Sequence, residues 1–272
     1  AHNVWDYTEF ITLTRNIRWD HIIAVSNYIK MELVGCSINP RDVTVIHHGI
    51  DGKQFFDATP QEALKKYPVL AGKKIIFHPA RMGLAKGCAV SVRAFRLVKE
   101  RIPDAFLVMA GTKNIIDWGG YQQKEIAYIV HLLEIFGLQR DTLIDHYTLG
   151  FMPTMYAVSD ICLYPSIFSE PFGLVMLEAM ASAKPIIVSR SGGMPEIIKS
   201  RVNGFVVQPR DHLALAKTII RLFTHPELGK QVGLKGREVF QKKYYLERMV
   251  DQILSVYKKE VARKKKGKLR IM

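Results

Sequence analysis

Short runs of aliphatic and β-branched residues alternate along the chain with longer segments of helical periodicity. Continuous apolar runs of this length are typical of parallel strands that are buried on both faces of a sheet. The pattern predicts eight strands, which we place at His21–Val25, Val43–His47, Lys74–His78, Phe106–Ala110, Thr142–His146, Ile161–Tyr164, Pro185–Ser189 and Gly204–Val207.

Helices are predicted between these strands and after them. Strands that alternate with helices form parallel βαβ units, and the helices then cover both faces of the sheet. We therefore expect an α/β fold with a doubly wound parallel sheet. The predicted helices span Gln61–Lys66, Gly87–Arg101, Tyr121–Phe136, Gly173–Ser182, His212–Thr224, Glu227–Phe240 and Leu246–Ala262.

A domain boundary is predicted at residues 51–72, where glycines and prolines interrupt the apolar pattern. About 200 residues follow, enough for one doubly wound domain, whereas the roughly 50 that precede are too few for a core of their own. The N-terminal segment must pack on something, or it is the remnant of a longer domain. We divide the chain into an N-terminal segment with linker at 1–57, a large domain at 58–245, and a final helix with a basic tail at 246–272.

Composition narrows the class of protein. Of the 272 residues 48% are hydrophobic and 24% charged, which excludes a fibrous or wholly disordered chain. No apolar run approaches the roughly 20 residues of a membrane-spanning helix. The chain shows no signal peptide, and it starts at Ala1 rather than Met, so its natural start can lie upstream. Cys36, Cys88 and Cys162 have neither paired nor metal-ligand spacing, so we expect a reducing compartment and no disulfide or zinc framework.

The net charge of +14 is concentrated at the C-terminus. Between Lys258 and Arg270 eight basic residues stand against one acid, Glu260, so this tail carries +7 and the remaining chain +7. Nucleic acid, an anionic membrane and phosphate-bearing substrates are all compatible with such a charge. The plainer alternative for the tail is a solvated, frayed terminus.

The segment 166–180 is the first candidate for chemistry, because it follows the predicted strand Ile161–Tyr164. In a parallel sheet ligands bind at the carboxyl ends of the strands. The free N–H groups of a helix that starts near Phe172, Gly173 and Leu174 would face that edge and attract an anion.

Two carboxylates belong to the same segment. Glu178 is the only charged residue in the helical stretch 172–180, which is otherwise apolar. A carboxylate in such surroundings needs a hydrogen-bond partner. Hydroxyl groups of a sugar or ribose would serve as that partner. The alternative role of Glu178 is to stabilise the helix dipole. Glu170 lies in the preceding loop, and its alternative is a solvated surface acid.

Two further segments follow predicted strands. Arg81 and Lys86 come after Lys74–His78 and suit a diphosphate, although two ordinary surface cations would look the same. The glycine spacing and ending of a Walker loop are absent there. The turn at 191–196 contains Gly192 and Gly193, which allow either a close approach to a ligand or a plain tight turn.

Together these three segments resemble the C-terminal, donor-binding domain of retaining glycosyltransferases of family 4, which have the GT-B fold with Rossmann-like domains. The family's Arg…Lys-Gly pattern is matched at Arg81, Lys86 and Gly87. A Pro-Ser followed by Glu-x-Phe-Gly and Glu-Ala is matched at 165–179, where Glu170 and Glu178 have the family's spacing of eight. The Gly-Gly-x-x-Glu pattern is matched at 192–196, and the resemblance extends over residues 22–245.

Several positions depart from the family pattern. His48 stands where the family usually has Asn, and Ala80 and Ala183 stand where glycine is common. The segment Leu149–Ala157 is shorter than its family counterpart. Most of the family's N-terminal domain, which carries the acceptor site, is absent, so residues 1–57 look like its remnant.

The resemblance implies transfer of a hexosyl group from a nucleotide-diphosphate sugar to a hydroxyl acceptor, with retention at the anomeric carbon. Arg81, Lys86 and the turn Phe172–Leu174 would stabilise the leaving diphosphate in place of a metal ion. Glu170 would hold sugar hydroxyls and Glu178 the ribose hydroxyls. No metal and no other cofactor is expected. Adjacent His47 and His48 would point to opposite faces of a strand, which disfavours a shared metal site.

The implied partners are a nucleotide sugar, a glycan or lipid-linked acceptor, and an anionic membrane surface that the basic tail could bind. We expect a cytoplasmic enzyme, with peripheral membrane association as a further hypothesis. Nucleic acid is disfavoured because the chain lacks interleaved aromatic and basic residues. The alternative function is a nucleotide-sugar-binding module that lacks catalysis and needs a partner or the missing N-terminal domain. A sugar-nucleotide epimerase of GT-B fold is opposed by the spacing of Glu170 and Glu178.

Overall fold

The computed structural model describes residues 1–4, 8–17, 19–111 and 121–269, and in these ranges eight strands pair only in parallel. They correspond one to one to the predicted strands, and Lys74–His78 and Ile161–Tyr164 keep their predicted bounds. The strands are β1 Ile22–Ala24, β2 Val43–Val45, β3 Lys74–His78, β4 Ala105–Ala110, β5 Thr142–Asp145, β6 Ile161–Tyr164, β7 Ile186–Ser189 and β8 Phe205–Val207.

Six of these strands form the main sheet in the order β5-β4-β3-β6-β7-β8. The first strand of the main sheet along the chain is β3, in the middle of the sheet. The next two strands, β4 and β5, lie on one side of β3, and β6, β7 and β8 follow on the other side. The order therefore reverses between β3 and β6, and such a switch point opens a crevice at the carboxyl ends of the two strands. The expectation of a doubly wound α/β fold is confirmed.

Helices connect and cover the strands, and three short 3₁₀ turns lie at Pro40–Asp42, Pro68–Leu70 and Gln139–Asp141. The helices are α1 Thr8–Asn16, α2 Asn27–Gly35, α3 Lys53–Phe56, α4 Gln61–Lys66, α5 Cys88–Lys99, α6 Tyr121–Ile135, α7 Met152–Val158, α8 Leu174–Ala181, α9 Met194–Ile197, α10 His212–Thr224, α11 Pro226–Lys243 and α12 Leu246–Leu269. Within the described ranges, none of them combines the length and the apolar character that a membrane span requires.

The main sheet has a hydrophobic core on each face. Alternate residues of β3 separate the two cores, because successive side chains of a strand point to opposite faces. Ile75 and Phe77 belong to the core that includes α8 and Phe240 of α11. Ile76 belongs to the core that includes α5, α6 and α10. Burial on both faces explains the continuous apolar runs from which the strands were predicted.

The N-terminal segment forms a small unit that packs on the main sheet. Strands β1 and β2 pair with each other, with Ile22 opposite Val43, and α2 connects them. Farther along, the ring of Phe55 lies 5.8 Å from that of Tyr156. The backbone N–H of Ile50 donates to Tyr244 O at 3.1 Å. The segment thus shares the hydrophobic core with the large domain, while the boundaries proposed at 57 and 245 stay a prediction.

Helix α12 returns to the N-terminal segment. The Lys264 ammonium contacts the Asp20 carboxylate at 2.7 Å, and His21 lies 3.8 Å from Glu260. The helix continues past Ala262, its predicted end, to Leu269, so over these residues the structure disagrees with the alternative of a frayed tail. Arg270, the last basic residue counted in the tail, lies outside the described residues.

Glu196 connects the N-terminal segment to the loop after β7. Its carboxylate accepts hydrogen bonds from the backbone N–H of Asn27 at 2.8 Å and of Tyr28 at 2.7 Å, at the first turn of α2. His47 Nε2 lies 3.3 Å from the same carboxylate. Burial opposes the charge, but these hydrogen bonds outweigh it and lower the pKa of Glu196. The acid of the Gly-Gly-x-x-Glu pattern therefore caps the N-terminal turn of α2 in the N-terminal segment.

Ala183, where the family commonly has glycine, has a left-handed backbone with φ of 54° just after α8. A Cβ in that conformation costs about 1–2 kcal/mol. Ala183→Gly should therefore raise the free energy of unfolding by about 1 kcal/mol in urea denaturation. Ala127→Gly, at an exposed position in the interior of α6, is the control and should lower it by about 1 kcal/mol. A loss of stability in Ala183→Gly would contradict this account.

Candidate functional site

A cavity of 720 Å³ opens where the chain leaves β3 and β6 at the switch point. The structure brings all seven predicted site residues to its lining. These residues are Arg81, Lys86, Glu170, Phe172, Gly173, Leu174 and Glu178.

Lys86 reaches the cavity from the loop between β3 and α5. Gly87 has φ of 79°, and a Cβ there would lie 2.0 Å from the carbonyl oxygen of Pro165, so only glycine lets this loop pass so close to the end of β6. The Lys86 ammonium consequently contacts the Glu170 carboxylate at 2.6 Å and the Tyr164 hydroxyl at 3.3 Å. Arg81, in the same loop, is exposed.

The backbone that carries Glu170 is held by the turn after β7. The N–H of Gly193 donates to Glu170 O at 2.8 Å. Gly192 has φ of 52°, and a Cβ there would meet the same carbonyl oxygen at 2.1 Å. The Ser191 hydroxyl donates to Phe168 O at 2.6 Å. Of the two predicted roles for Gly192 and Gly193, the structure shows the tight turn, which fixes the loop of Glu170.

Glu178 lies on α8 among buried apolar residues and has a protein partner. The hydroxyl of Tyr156 donates to Glu178 Oε2 at 2.7 Å. Burial raises the pKa of Glu178, and the hydrogen bond from Tyr156 opposes this rise. Burial and the nearby Glu178 charge also raise the pKa of Tyr156. The expected need for a partner is met, and Tyr156 was missed because nothing in the sequence shows that α7 packs on α8.

The start of α8 presents backbone N–H groups to the cavity. Gly173 precedes the helix with φ of 88°, and no side chain caps the first turn. The first N–H groups of a helix have no partner within it and carry its positive dipole end. Because Phe172, Gly173 and Leu174 all line the cavity, an anion bound there would meet these groups and the Lys86 ammonium together.

The N-terminal segment supplies a further wall, which sequence analysis did not predict. His2, Asn3, Val25 and His48 line it. His48 Nε2 lies 3.2 Å from His2 Nδ1, whereas His47 contacts Glu196 instead. Strand β2 ends at Val45, so the prediction that His47 and His48 point to opposite faces of a strand is wrong. Both rings contact Phe172, and only His48 is among the residues that line this cavity. Among the described residues, no group of three side chains has the geometry of a metal site.

The sequence profile of the family described as Glycosyl transferases group 1 matches residues 60–239, more than half of the chain. Spore coat protein SA of Bacillus subtilis is 28% identical over 248 residues, which cover 88% of this chain and 64% of that protein. N-acetyl-alpha-D-glucosaminyl L-malate synthase of Bacillus anthracis is 26% identical over 250 residues, which cover 92% and 62%. The chain thus spans less than two thirds of these curated relatives.

Solved structures agree with this likeness. A glycosyltransferase from Rickettsia africae superposes with a TM-score of 0.83 at 27% identity, over 94% of this chain and 68% of that one. HepE of Anabaena, solved in complex with UDP and glucose, superposes with a TM-score of 0.85 over 95% and 70%, and at 18% identity it shares the fold. By its sequence profile and its fold, the chain belongs to the Glycosyl transferases group 1 family.

Proposed function

We propose that the chain is the nucleotide-sugar-binding half of a retaining glycosyltransferase of family 4, with residues 1–57 as the last part of its N-terminal domain. One observation carries the proposal. Two cations, two carboxylates and an uncapped helix start line a single cavity at the switch point of the sheet. The HepE structures, which contain UDP or UDP-glucose, support a nucleotide sugar as the donor.

The leaving group of such a reaction is a nucleoside diphosphate. When the bond between the sugar C1 and the β-phosphate oxygen breaks, negative charge grows on that phosphate. Fixed donors there lower the barrier most, because they stabilise charge that develops in the transition state. Lys86, Arg81 and the first turn of α8 are such donors, so no metal ion is needed in the proposed mechanism.

Glu170 is proposed to hold hydroxyls of the transferred sugar. In the structure its carboxylate is paired with the Lys86 ammonium. A diphosphate would engage Lys86 and leave Glu170 able to accept hydrogen bonds from the sugar. The acceptor hydroxyl then attacks C1 on the face that the phosphate leaves, its oxygen forms the new bond, and its proton passes to the departing phosphate. Glu170 thereby positions the sugar rather than acting as a nucleophile.

An alternative proposal is a binding module without catalysis. It is favoured by one observation, namely that both carboxylates of the cavity have protein partners, Lys86 for Glu170 and Tyr156 for Glu178. An assay with a radiolabelled donor and a panel of hydroxyl acceptors separates the two proposals, since only the enzyme forms product.

Loss of Lys86 tests the donor site. In calorimetric titrations with UDP, GDP and ADP, we expect one nucleotide to bind, and Lys86→Ala should weaken it by about ten- to hundred-fold because a charge-assisted contact is lost. Lys230→Ala, which lines a different cavity, is the control and should change affinity less than about two-fold. A folded parent protein that binds none of the three, or equal affinity in Lys86→Ala, would exclude this site.

Glu178→Gln should separate stability from binding. The raised pKa of Glu178 means that the folded protein keeps a proton which the unfolded chain loses, so its contribution to stability falls as pH rises from 4.5 through the raised value. Gln does not titrate, so its advantage in Tm over the parent should grow across that range and persist at pH 7.5. Affinity for the nucleoside diphosphate should fall about ten-fold, because an amide is a weaker acceptor for ribose hydroxyls. An advantage that shrinks with rising pH would contradict the assignment.

We also propose that α12 binds anionic membrane surfaces. An exposed apolar stripe runs along it, and Lys258, Lys259 and Lys265 are exposed beside it. Apolar side chains beside cations are typical of interfacial helices. The stripe consists of Leu246, Val250, Leu254, Tyr257 and Val261.

Vesicle sedimentation tests the membrane proposal. We expect binding to phosphatidylglycerol-containing vesicles at low salt and none to pure phosphatidylcholine. Replacing Lys258, Lys259 and Lys265 with Gln should weaken binding by roughly a hundred-fold, at about 1 kcal/mol for each cation. Replacing Lys217, Lys230 and Lys235 is the control of equal charge and should reduce binding less. The membrane proposal would be refuted if the protein bound no vesicles. It would also be refuted if binding were the same at high salt and in the variant of Lys258, Lys259 and Lys265.

A further inference from the structure

His48 lies beside the part of the cavity that is suited to an anion. Its ring meets the ring of Phe172 edge to face, with centroids 5.0 Å apart and planes at 88°. Phe172 directly precedes Gly173, the N-cap of α8, and no side chain caps the first turn of this helix. Because His48 also lines the cavity itself, its imidazole borders the same space as the N–H groups of that turn and the Lys86 ammonium.

The backbone on either side of His48 is fixed. The side chain of His47 is held by Glu196 and lies against Phe172 and Tyr244, with ring centroids 5.8 and 6.0 Å away. On the other side, a Cβ on Gly49 would lie 2.3 Å from the carbonyl oxygen of Tyr245, so this glycine packs directly against the chain at the start of α12. A side chain held on both flanks can contact a ligand without a costly rearrangement of the backbone.

The surroundings of His48 favour the uncharged form of its imidazole. Burial lowers its pKa to about 4, and the charges of His2 and His47 contribute in the same direction. His48 Nε2 and His2 Nδ1 are 3.2 Å apart and share one hydrogen bond. The remaining charged groups that line the cavity are Arg81 and Lys86 from the loop after β3, and Glu170 and Glu178 from the segment after β6.

We propose that His48 is a further ligand of the donor diphosphate, and that it binds a phosphate oxygen as an imidazolium. This inference rests on the proposed function, because it requires a diphosphate in the cavity. The step is a proton uptake. Solvent supplies one proton to the imidazole, and an N–H of the resulting cation donates to the phosphate oxygen. No bond to phosphorus or carbon changes.

A diphosphate brings two or more negative charges next to His48, and a nearby opposite charge favours the protonated form. A bound-state pKa of about 6.5, the ordinary value for histidine, would tighten binding about ten-fold between pH 7.5 and pH 5.5 through this group alone. The diphosphate loses its own charge over the same range, so the diagnostic quantity is the difference between the parent and a variant without the imidazole.

The experiment measures proton uptake by calorimetry at pH 6.0. The nucleoside diphosphate that binds is titrated into the full chain in buffers of different ionisation enthalpy, for the parent, His48→Gln, His2→Gln and His131→Gln. His131 is exposed on α6 and contacts Glu134, so it controls for the general loss of a histidine. Protons that the nucleotide itself gains or loses on binding are common to all four proteins, so we expect the parent and the control to take up about half a proton or more beyond the value for His48→Gln.

The affinities give a second readout. His48→Gln should lose the roughly ten-fold tightening from pH 7.5 to pH 5.5 relative to the parent, while its affinity at pH 8 stays within about three-fold. Equal proton uptake in His48→Gln and the parent, or a drop in uptake in His2→Gln alone, would overturn the inference and leave the donor site intact. Failure of every nucleotide to bind the parent would instead refute the proposed function, and the inference with it.

If His48→Gln does not fold, the inference can be tested on the parent protein by NMR. The imidazole Cε1–H resonances of the parent can be titrated by NMR with and without the nucleotide. We expect one resonance with a midpoint near pH 4 to move upward by at least about one unit on binding. His78, the other histidine with so low a pKa, is fully buried and should keep a midpoint near 3. If no low midpoint moves in the nucleotide-bound parent, the inference is wrong.

Discussion

The ion pair between Lys86 and Glu170 is the contact on which the site depends. It joins the loop after β3 to the loop after β6 across the switch point, with 2.6 Å between ammonium and carboxylate. The side chains are 23% and 12% exposed, so neither charge is fully hydrated. A partly buried charge that loses its partner is costly. Each group therefore holds the other, and under the proposed function the phosphate and the hydroxyls of a nucleotide sugar would replace both partners.

Glycines make this pairing geometrically possible. Gly87 lets the loop of Lys86 pass the carbonyl of Pro165, and Gly192 lets the turn after β7 press against the carbonyl of Glu170. Hydroxyls of Ser166, Ser189 and Ser191 fasten the same loops by donating to backbone carbonyls. The ordering of these loops is completed when the chain folds, so a ligand does not bear its entropic cost.

Much of this arrangement follows from local patterns in the sequence. The strands were predictable because burial on both faces leaves continuous apolar runs, and the site residues because they follow strands whose carboxyl ends share one edge. The missed elements are short and of mixed polarity, as α2 and α7 are. The missed partners lie far away in sequence. Glu196 contacts Asn27 across 169 positions, and only the packing of α7 on α8 brings Tyr156 to Glu178.

The N-terminal segment forms one wall of the cavity. Glu196 contacts His47, and the rings of His47 and His48 both lie against Phe172, the residue before the N-cap of α8. A displacement of β1, β2 and α2 relative to the main sheet would therefore move the wall that carries His48 away from the cations of the β3 loop. Because both walls line one cavity, the position of this segment sets how closely His48 and the cations of the β3 loop can approach the proposed diphosphate together.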